Sequence, residues 1–390
     1  MTRDADVVVV GLGAMGAACA YQLAKRGLKV LGLDRFAPPH AVGSSHGETR
    51  ITRQAVGEGA AYVPLVTASH RIWRELEAET GQKLFEACGA IVIAPGSGES
   101  SHHGKPDFVA RSSEVAVDYA IPHEIMTGAE AARRFPQFAN LAGDEKVYYE
   151  PGGGYVFPER CIEAQLSRAA ELGAEIRTGV EVLSIAQDGD QVVVETAGGR
   201  IVAGQAIVSA GGWASELLGA PFDRLLTVNR HRQVLHWFEL DDMAPYGPDA
   251  PVFIWMHGPT DVDYLYGFPP LPGDPRIKVA TEQYAAATTP DAMSRDVSAE
   301  ESAWMHRTHV DGRLAAASAR VAKAAACLYT VTPDNGFIID RHPRMDRVVA
   351  ISACSGHGFK HSAGIGEAVA TAVAGGDWKP LGPFSVSRFD

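Results

Sequence analysis

The stretch DADVVVVGLGAMGAACAYQLAKRGLKVLGLD, residues 4 to 34, constrains the fold more than any other part of the chain. A β-branched run ends at Val10 and is followed by a glycine turn and a helical stretch that Gly27 closes. A second apolar run then ends at Asp34. Strand, helix and strand in this order predict a βαβ unit, and therefore an α/β fold.

The turn of this unit contains Gly11, Gly13 and Gly16 in the pattern G-x-G-x-x-G. One glycine allows the tight turn, one lets the backbone approach a pyrophosphate, and one lets the helix pack on the strand. The helix N-terminus then faces the phosphates, and Asp34 is placed to accept hydrogen bonds from ribose hydroxyls. These features predict a dinucleotide site; the alternative is a glycine-rich turn without a ligand.

Composition excludes several classes of protein. A chain of 390 residues predicts two domains, and a net charge of -12 without a basic arm argues against nucleic acid as a partner. No apolar run approaches the roughly 20 residues that a membrane span needs, and the N-terminus lacks the pattern of a signal peptide. The five cysteines lack C-x-x-C spacing, which argues against a metal site or a disulfide framework and favours the cytoplasm. They are Cys19, Cys88, Cys161, Cys327 and Cys354.

The rest of the chain alternates between helical and strand patterns. Residues 64–80 predict a helix, and the chain from Ala174 to Trp213 predicts a β-meander that returns to the strand AIVSAGGW. The tail RVVAISACSGHGFKHSAGIGEAVATAVAGG again predicts strand, glycine turn and helix. We therefore expect a nucleotide-binding domain made of three segments, with a substrate domain inserted between them. The expected nucleotide segments are 1–80, 150–218 and 321–390, and the expected substrate segments are 81–149 and 219–320.

Two glycine-rich turns at opposite ends of the chain favour FAD over a nicotinamide cofactor. A nicotinamide that diffuses in and out needs an open cleft, whereas a flavin can be enclosed by C-terminal sequence such as SGHGFK, which contains Gly356 and Gly358. Gly211, in the SAGGW turn that ends the meander, is expected to line the same cofactor site.

Several longer strings carry a resemblance to a known family. The chain resembles the monomeric sarcosine oxidases and N-methyltryptophan oxidases, which are flavin amine oxidases. The resemblance implies a D-amino-acid-oxidase-like FAD-binding Rossmann domain with an antiparallel-sheet substrate domain, in a monomer or weak oligomer. It also implies oxidation of a secondary amino acid by oxygen to an imine, with hydrogen peroxide as product and hydrolysis of the imine to an aldehyde and an amine. The strings are PPHAVGSSHGETRITRQAVGEGAAYVPL, GGYVFPERC, AIVSAGGW, YGFP, ACLYTVTPDNGFIID, SGHGFKHSAG and SVSRF.

The same resemblance assigns roles to individual residues. Cys327 matches the cysteine that is bonded through sulfur to the flavin, although a free cysteine is more often a small buried hydrophobe. Arg50 is implied to lie beside the flavin, and Arg53 with Lys360 to hold the substrate carboxylate. Lys278 matches a lysine over the flavin that assists reaction with oxygen, because a fixed cation stabilises developing superoxide.

Other expected site residues depend on local pattern. In HGETRITR, His46, Thr49, Arg50 and Arg53 share one face if the stretch is helical, which predicts an anion-binding face near the cofactor or, alternatively, a solvated basic face. His357 is expected either to contact the flavin and shape the pocket or to be a core histidine. Tyr266 and Tyr329 are expected to line the substrate pocket, or to be simple core.

Glu282 departs from the family pattern, because the matching position, four residues after the lysine, is a histidine in sarcosine and N-methyltryptophan oxidases. A carboxylate here either contacts a cation or hydroxyl of the substrate, or pairs with Lys278. We expect substrate contact, which leaves a glycated (fructosyl) or cyclic amino acid open as an alternative substrate. Alternatives of another class are a nicotinamide-dependent dehydrogenase and a flavoprotein without turnover.

Two further patterns are weaker. Residues 43–47, GSSHG, match the G-x-S-x-G turn of serine hydrolases, but the preceding FAPPHAV is not a strand, because Pro38 and Pro39 cannot donate to a ladder. His102 and His103 lie in the polar tract PGSGESSHHGKPD, which predicts a surface loop and not a metal site.

Overall fold

The computed structural model describes residues 3–96, 101–103, 105–226, 230–260 and 262–390. Two large sheets organise this part of the chain, one mostly parallel and one mostly antiparallel. We call them the first and the second sheet. None of the described helices is both long enough and apolar enough to cross a membrane.

The first sheet contains the predicted βαβ unit. Ala5–Val10 lies between Val30–Asp34 and Gly199–Val208 and is parallel to both. The helix between the first two strands runs from Ala14 to Lys25, and the antiparallel meander lies at one edge, as the turns predict. The order of the described strands is Glu175–Thr178, Val30–Asp34, Ala5–Val10, Gly199–Val208, Gln191–Thr196 and Val182–Asp188, with Met345–Ser352 pairing with Gly199–Val208 and Ile338–His342 pairing with Met345–Ser352.

Small residues let two helices beside the first sheet pack closely on each other. The helix Ser362–Val373 contacts the helix Ala14–Lys25, and a Cβ added at Gly366 would lie 2.5 Å from the backbone of Ala18. The described α-helices are Ala14–Lys25, Val63–Thr80, Phe108–Asp118, Gly128–Arg134, Pro158–Glu171, Ala214–Leu218, Phe222–Leu226, Ala299–Met305 and Ser362–Val373.

The second sheet is antiparallel except where Val252–Met256 runs parallel to Ala90–Ala94. The order of its described strands is Ala317–Thr330, Arg230–Leu240, Arg276–Ala280, Tyr264–Phe268, Val252–Met256, Ala90–Ala94, Lys146–Glu150 and Glu124–Thr127. A smaller sheet orders Arg50–Thr52, Gly154–Val156 and Phe85–Glu86, and a short hairpin pairs Ser101–His102 with Lys105–Pro106. The two architectures together confirm the predicted fold class.

The two faces of the second sheet differ: one carries candidate site residues, and the other packs into an apolar core. Residues directly opposite one another in neighbouring strands share a face, and positions two apart in one strand do so too. Ala280 is opposite both Leu235 and Tyr266, and Leu235 is opposite Ala325, so Cys327 and Lys278 project from the same face as Tyr266. The other face packs into a separate apolar cluster that includes Phe238, Ile277, Val279, Leu265 and Phe253.

The boundaries of the two expected domains remain a prediction. The strand Ala317–Thr330 pairs with Arg230–Leu240 in the second sheet. The expected start of the last nucleotide segment, residue 321, therefore lies inside a strand of the other sheet.

Candidate active site

A cleft of about 440 Å³ begins at the carboxyl end of Ala5–Val10 and extends to the second sheet. The carboxyl ends of parallel strands are the usual binding edge of such sheets. Of the residues expected to bind a cofactor, those that line the cleft are Gly11, Gly13, Asp34, Arg50, Gly211, Gly356 and Gly358.

The glycine loop has the geometry that its sequence predicts. Gly11 has a φ of +85°, and a Cβ there would lie 2.7 Å from the Cα of Ala210. A Cβ at Gly16 would lie 1.8 Å from the Gly11 carbonyl oxygen, so this glycine serves helix–strand packing. Gly13 faces open space, since its nearest neighbour to an added Cβ is Ser45 Oγ at 3.8 Å. The helix N-terminus is therefore accessible from the cleft.

Asp34 holds the loop and also faces the cleft. Its Oδ2 accepts a hydrogen bond from the Leu12 amide at 2.7 Å, and its Oδ1 accepts one from the Phe36 amide at 2.7 Å. Each carboxylate oxygen has a second lone pair. The side chain can accept ribose hydroxyls without giving up these two contacts.

The segment HGETRITR is not a helix, so its residues do not share a helical face: Gly47 and Glu48 form a bend with φ of +101° and +71°. Arg50–Thr52 is a strand that pairs with Gly154–Val156. Arg50 still lies at the cleft, where it donates to the carbonyl oxygens of Ser44 at 3.0 Å and Thr49 at 2.9 Å. His46 is buried away from the cleft lining, and burial, with the nearby charge of Arg50, lowers its pKa to about 3.

The GSSHG turn does not form a hydrolase nucleophile. Ser44 Oγ donates to the Leu328 carbonyl at 2.5 Å, and Ser45 Oγ accepts from the Ala14 amide at 3.4 Å. Both hydroxyls are therefore bonded to backbone groups at the cleft.

Lys278 is a buried lysine in the middle of the second sheet and is not at its edge. Its Nζ donates to the carbonyl oxygens of Gly47 at 2.6 Å and Thr49 at 2.7 Å, and to Thr49 Oγ1 at 3.1 Å. Burial lowers the pKa of Lys278 well below its ordinary value. Three oxygen acceptors match the three N–H groups of an ammonium and stabilise the charged form. The Glu159 carboxylate fixes this loop by accepting from the Gly47 amide at 2.6 Å.

Cys327 lies just beyond the lining of the cleft. It is 1% exposed and packs with Tyr329, Val331 and Cys354, of which Tyr329 and Cys354 line the cleft directly. Burial raises the pKa of the Cys327 thiol, while the charges of Arg50 and Lys278 oppose that rise. Cys19 is buried in the first helix, as expected for a small apolar residue.

Arg53 and Lys360 come together through a carboxylate that sequence reasoning missed. Arg53 Nη2 lies 3.5 Å from Glu58 Oε2, and Lys360 Nζ lies 3.5 Å from Glu58 Oε1. Burial alone would raise the pKa of Glu58, but the charge of Lys360 holds it well below its usual range. Burial lowers the pKa of Lys360 to about 8 in spite of Glu58. Neither cation lines the cofactor cleft among its described residues.

His357 lies next to this cluster. Its Nε2 is 3.0 Å from the Asn335 carbonyl oxygen, its Nδ1 is 3.7 Å from Glu58 Oε1, and its ring stacks on Phe337. Burial lowers the pKa of His357 to about 3, so it is neutral. Tyr329 lines the cleft, and its hydroxyl lies 3.5 Å from that of Tyr266.

The surface location expected for His102 and His103 is wrong. The hairpin turns both side chains inward, and His103 Nε2 lies 3.2 Å from Glu282 Oε1 while its Nδ1 lies 3.3 Å from Glu58 Oε1. Burial opposes protonation of His103, but Glu282 and Glu58 raise its pKa to about 9. Burial likewise opposes ionisation of Glu282, but His103 lowers its pKa to about 2. The second partner of Glu282 is Tyr284, whose hydroxyl donates at 2.9 Å.

The possible ligand atoms of His102, His103 and Glu282 lie within 4.8 Å of one another. A metal ion can bridge atoms at that spacing. The distance between His103 Nε2 and Glu282 is that of an ion pair. Lys278, the other residue expected to pair with Glu282, donates instead to the carbonyl oxygens of Gly47 and Thr49.

Comparison with known proteins identifies the class to which this fold and site belong. The sequence profile of the FAD dependent oxidoreductase family matches residues 6–372. The chain is 37% identical to the monomeric sarcosine oxidase of Bacillus sp. (strain B-0618), over 100% of this chain and 97% of that protein. It is 32% identical to the N-methyl-L-tryptophan oxidase of Yersinia pestis (strain Pestoides F), over 99% of this chain and 100% of that protein.

The chain therefore belongs to the FAD-dependent oxidoreductases, and within them to the family of the monomeric sarcosine and N-methyl-L-tryptophan oxidases. The solved structure of NikD, described as an unusual amino acid oxidase essential for nikkomycin biosynthesis, has the same fold with a TM-score of 0.78. It covers 97% of each chain at 21% identity.

The residues of the cleft fit FAD. The open N-terminus at Gly13 suits the pyrophosphate, and Asp34 has the remaining lone pairs that a ribose needs. The far end of the cleft, at Tyr329 and Gly356, borders the buried charges, because a Cβ at Gly356 would lie 2.8 Å from Glu282 Oε1. A ring system at that end would therefore adjoin the buried charges of Glu282 and His103.

Proposed function

We propose that this protein is an FAD-dependent oxidase of an N-methyl amino acid, with oxygen as the electron acceptor. The observation that carries the proposal is the pair of buried cations, Arg53 and Lys360, beside the end of a cleft that fits FAD. Glu58 supplies only one negative charge against these two cations, and the remaining positive charge is costly to bury unless a further anion meets it. An amino acid substrate supplies such an anion, its carboxylate.

In this proposal the residues of the chain hold the substrate and exclude water. Arg53 and Lys360 bind the carboxylate, and the aromatic rings of Tyr266 and Tyr329 cover the reacting carbon. FAD supplies the acceptor for the two electrons and the hydrogen that leave the C–H bond of the amine.

The reaction balances with oxygen and water as the other reactants. The amine loses two electrons and two protons to become an imine, which water hydrolyses to an aldehyde and a primary amine. Oxygen takes up the two electrons and two protons and becomes hydrogen peroxide. The Lys278 ammonium provides a fixed positive charge near the site, which favours the first one-electron transfer to oxygen.

The alternatives fit these residues less well. A glycated substrate would need a free partner for its hydroxyls, and the Glu282 carboxylate is already engaged by His103 and Tyr284. The match to the FAD dependent oxidoreductase family over residues 6–372 argues against a nicotinamide-dependent dehydrogenase. The free thiols of all five cysteines are consistent with a reducing compartment, and we place the protein in the cytoplasm.

A substrate screen tests the proposal directly. Purified protein is supplied with sarcosine, N-methyl-L-tryptophan, L-proline and a fructosyl amino acid, and peroxide release is measured with oxygen consumption. We expect a yellow protein that releases one peroxide per oxygen consumed with an N-methyl amino acid. A colourless protein, or a yellow one whose flavin absorbance is unchanged by every amine under anaerobic conditions, would overturn the proposal.

We also propose that the flavin is bonded to Cys327. Acid-precipitated wild-type protein should stay yellow, whereas a Cys327→Ser variant should release its colour into the supernatant, because the hydroxyl is a much weaker nucleophile than a thiolate. Cys354→Ser is the matched control, since Cys354 lines the cleft and packs beside Cys327. The assignment is contradicted if acid releases all the flavin from the wild type. It is also contradicted if flavin is lost from Cys354→Ser and retained by Cys327→Ser.

A further inference from the structure

The hairpin that carries His103 brings an imidazole between two buried carboxylates. Its two ring nitrogens lie 3.3 Å from Glu58 Oε1 and 3.2 Å from Glu282 Oε1, and the side chain is 4% exposed. A chain of alternating charges thus runs from Arg53 and Lys360 through Glu58 and His103 to Glu282. His103 links the expected carboxylate anchors to Glu282, a position at which the chain departs from the family pattern.

The cluster has a definite charge. Three of its members are cations, namely Arg53, Lys360 and His103, and two are carboxylates, namely Glu58 and Glu282. One positive charge is therefore in excess, and a ligand with one carboxylate and no other charge neutralises it. Without His103 the excess disappears, and the Glu282 carboxylate keeps only the Tyr284 hydroxyl among its described hydrogen-bond partners.

The cluster also has unsatisfied polar atoms and nearby space. Glu58 Oε2 and His103 Nδ1 are buried and form ion-pair contacts, at 3.5 Å to Arg53 Nη2 and 3.3 Å to Glu58 Oε1, but no hydrogen bond among the described residues. Both residues line a second cavity of about 130 Å³, separate from the cofactor cleft and bordered by Lys105 and Asn335. Buried polar atoms normally have partners, so these two point to a small polar ligand or to water.

We propose that His103 determines substrate charge: its imidazolium neutralises Glu282, so that the site takes amino acids with an uncharged substituent and rejects cationic ones. The inference rests on the proposed function, because it uses the carboxylate anchors named there. It assigns to Glu282 a structural partner within the chain in place of a substrate group. His103 acts through Glu282 and is a positioning residue.

Three isosteric carboxylates test the charge of the site without turnover. Pentanoate, 4-aminobutyrate and glutarate share a carboxylate and three methylenes and end in a methyl, an ammonium and a second carboxylate. Their binding to the FAD-loaded protein is measured by calorimetry at pH 7.5 in buffer containing EDTA, which removes any metal ion from His102, His103 and Glu282. The wild type should bind pentanoate more tightly than 4-aminobutyrate.

His103→Gln keeps a polar side chain but removes the positive charge. The affinity ratio of 4-aminobutyrate to pentanoate should then rise on the order of tenfold to a hundredfold, the range expected for one charge at close approach in a partly desolvated site. His103→Gln combined with Glu282→Gln should return the ratio towards the wild-type value, because the carboxylate that attracts the ammonium is then absent. Tyr284→Phe removes a hydrogen bond from Glu282 without a change of charge and should leave the ratio unmoved.

Glu282→Gln in the presence of His103 gives an independent test if the His103 variant does not fold. The imidazolium then lacks its partner, and the affinity ratio of glutarate to pentanoate should rise at least tenfold. If the affinity ratios are unchanged in both variants while pentanoate still binds, the role of His103 is wrong, but the proposed function is not affected. If wild-type protein binds none of the three carboxylates, the anchors themselves are wrong, and the proposed function fails together with this inference.

Discussion

Replacing Lys278 with methionine should slow the reaction with oxygen on the order of a hundredfold to a thousandfold, the usual effect of removing one preorganised electrostatic group. The Lys278 ammonium is 3% exposed and is held by three oxygens of Gly47 and Thr49. A methionine fills similar space but supplies no charge. Stopped-flow absorbance separates the two half-reactions, and anaerobic reduction by the amine should stay within about threefold of the wild-type rate, because Arg53 and Lys360 do not touch this lysine.

Lys278→Arg is the matched control. It keeps the positive charge, and reoxidation should recover at least in part if charge is what oxygen requires. Slow reduction with normal reoxidation in Lys278→Met would instead make Lys278 a substrate residue. Loss of colour in the purified variant would show that the loop at Gly47 and Thr49 needs the lysine to bind the cofactor.

Arg53→Met should have the second large effect, and it should act on binding and on stability at once. Loss of a charge-assisted hydrogen bond of about 1.5–3 kcal/mol to the substrate carboxylate raises the amine concentration needed for half-maximal reduction about tenfold to a hundredfold. The same change removes one of the cations beside Glu58 and lowers the folding free energy, but by less than the about 3–5 kcal/mol lost when a buried charge has no partner left, because Lys360 and His103 remain next to this carboxylate. Lys360→Met should show the same pattern.

A second substitution separates these two effects. In Arg53→Met combined with Glu58→Gln the buried carboxylate is gone, so the midpoint of urea unfolding should recover while the weak binding persists. Anaerobic titration of the flavin absorbance measures the binding. If Arg53→Met reaches half-maximal flavin reduction at the same amine concentration as the wild type, this arginine does not bind the substrate carboxylate.

The sequence predicted the parts of the structure that depend on neighbours along the chain. The βαβ unit from Ala5 to Asp34 and the meander are determined by local apolar runs and turns, and both are present as predicted. The periodicity of HGETRITR was misleading, because cations three and four apart also occur in extended segments. Arg50–Thr52 forms a strand as the partner of Gly154–Val156, a hundred positions away in the chain.

The ion pairs of Glu58 and His103 could not be predicted for a related reason. Glu58 and His103 are polar residues in glycine-rich or histidine-rich loops, a composition typical of solvent-exposed segments. Besides Arg53 and their contact with each other, their burial is stabilised by Lys360 and Glu282, which lie some 180 to 300 residues away in the sequence. A polar loop with two adjacent histidines is the one signal that could have suggested His103, and it did not distinguish an interior position from an exposed one.

The assembly of the cleft from both ends of the chain also has a consequence for synthesis in the cell. The ribosome makes the Gly11 turn first, whereas Gly356 and Gly358, which line the opposite wall, leave it only near the end of translation. Domains generally fold as units while the chain is made. The βαβ unit is made early, but the cleft is incomplete until Gly356 and Gly358 have been translated. Cofactor loading should therefore follow release of the finished polypeptide, and nascent chains stalled before residue 356 should retain no flavin.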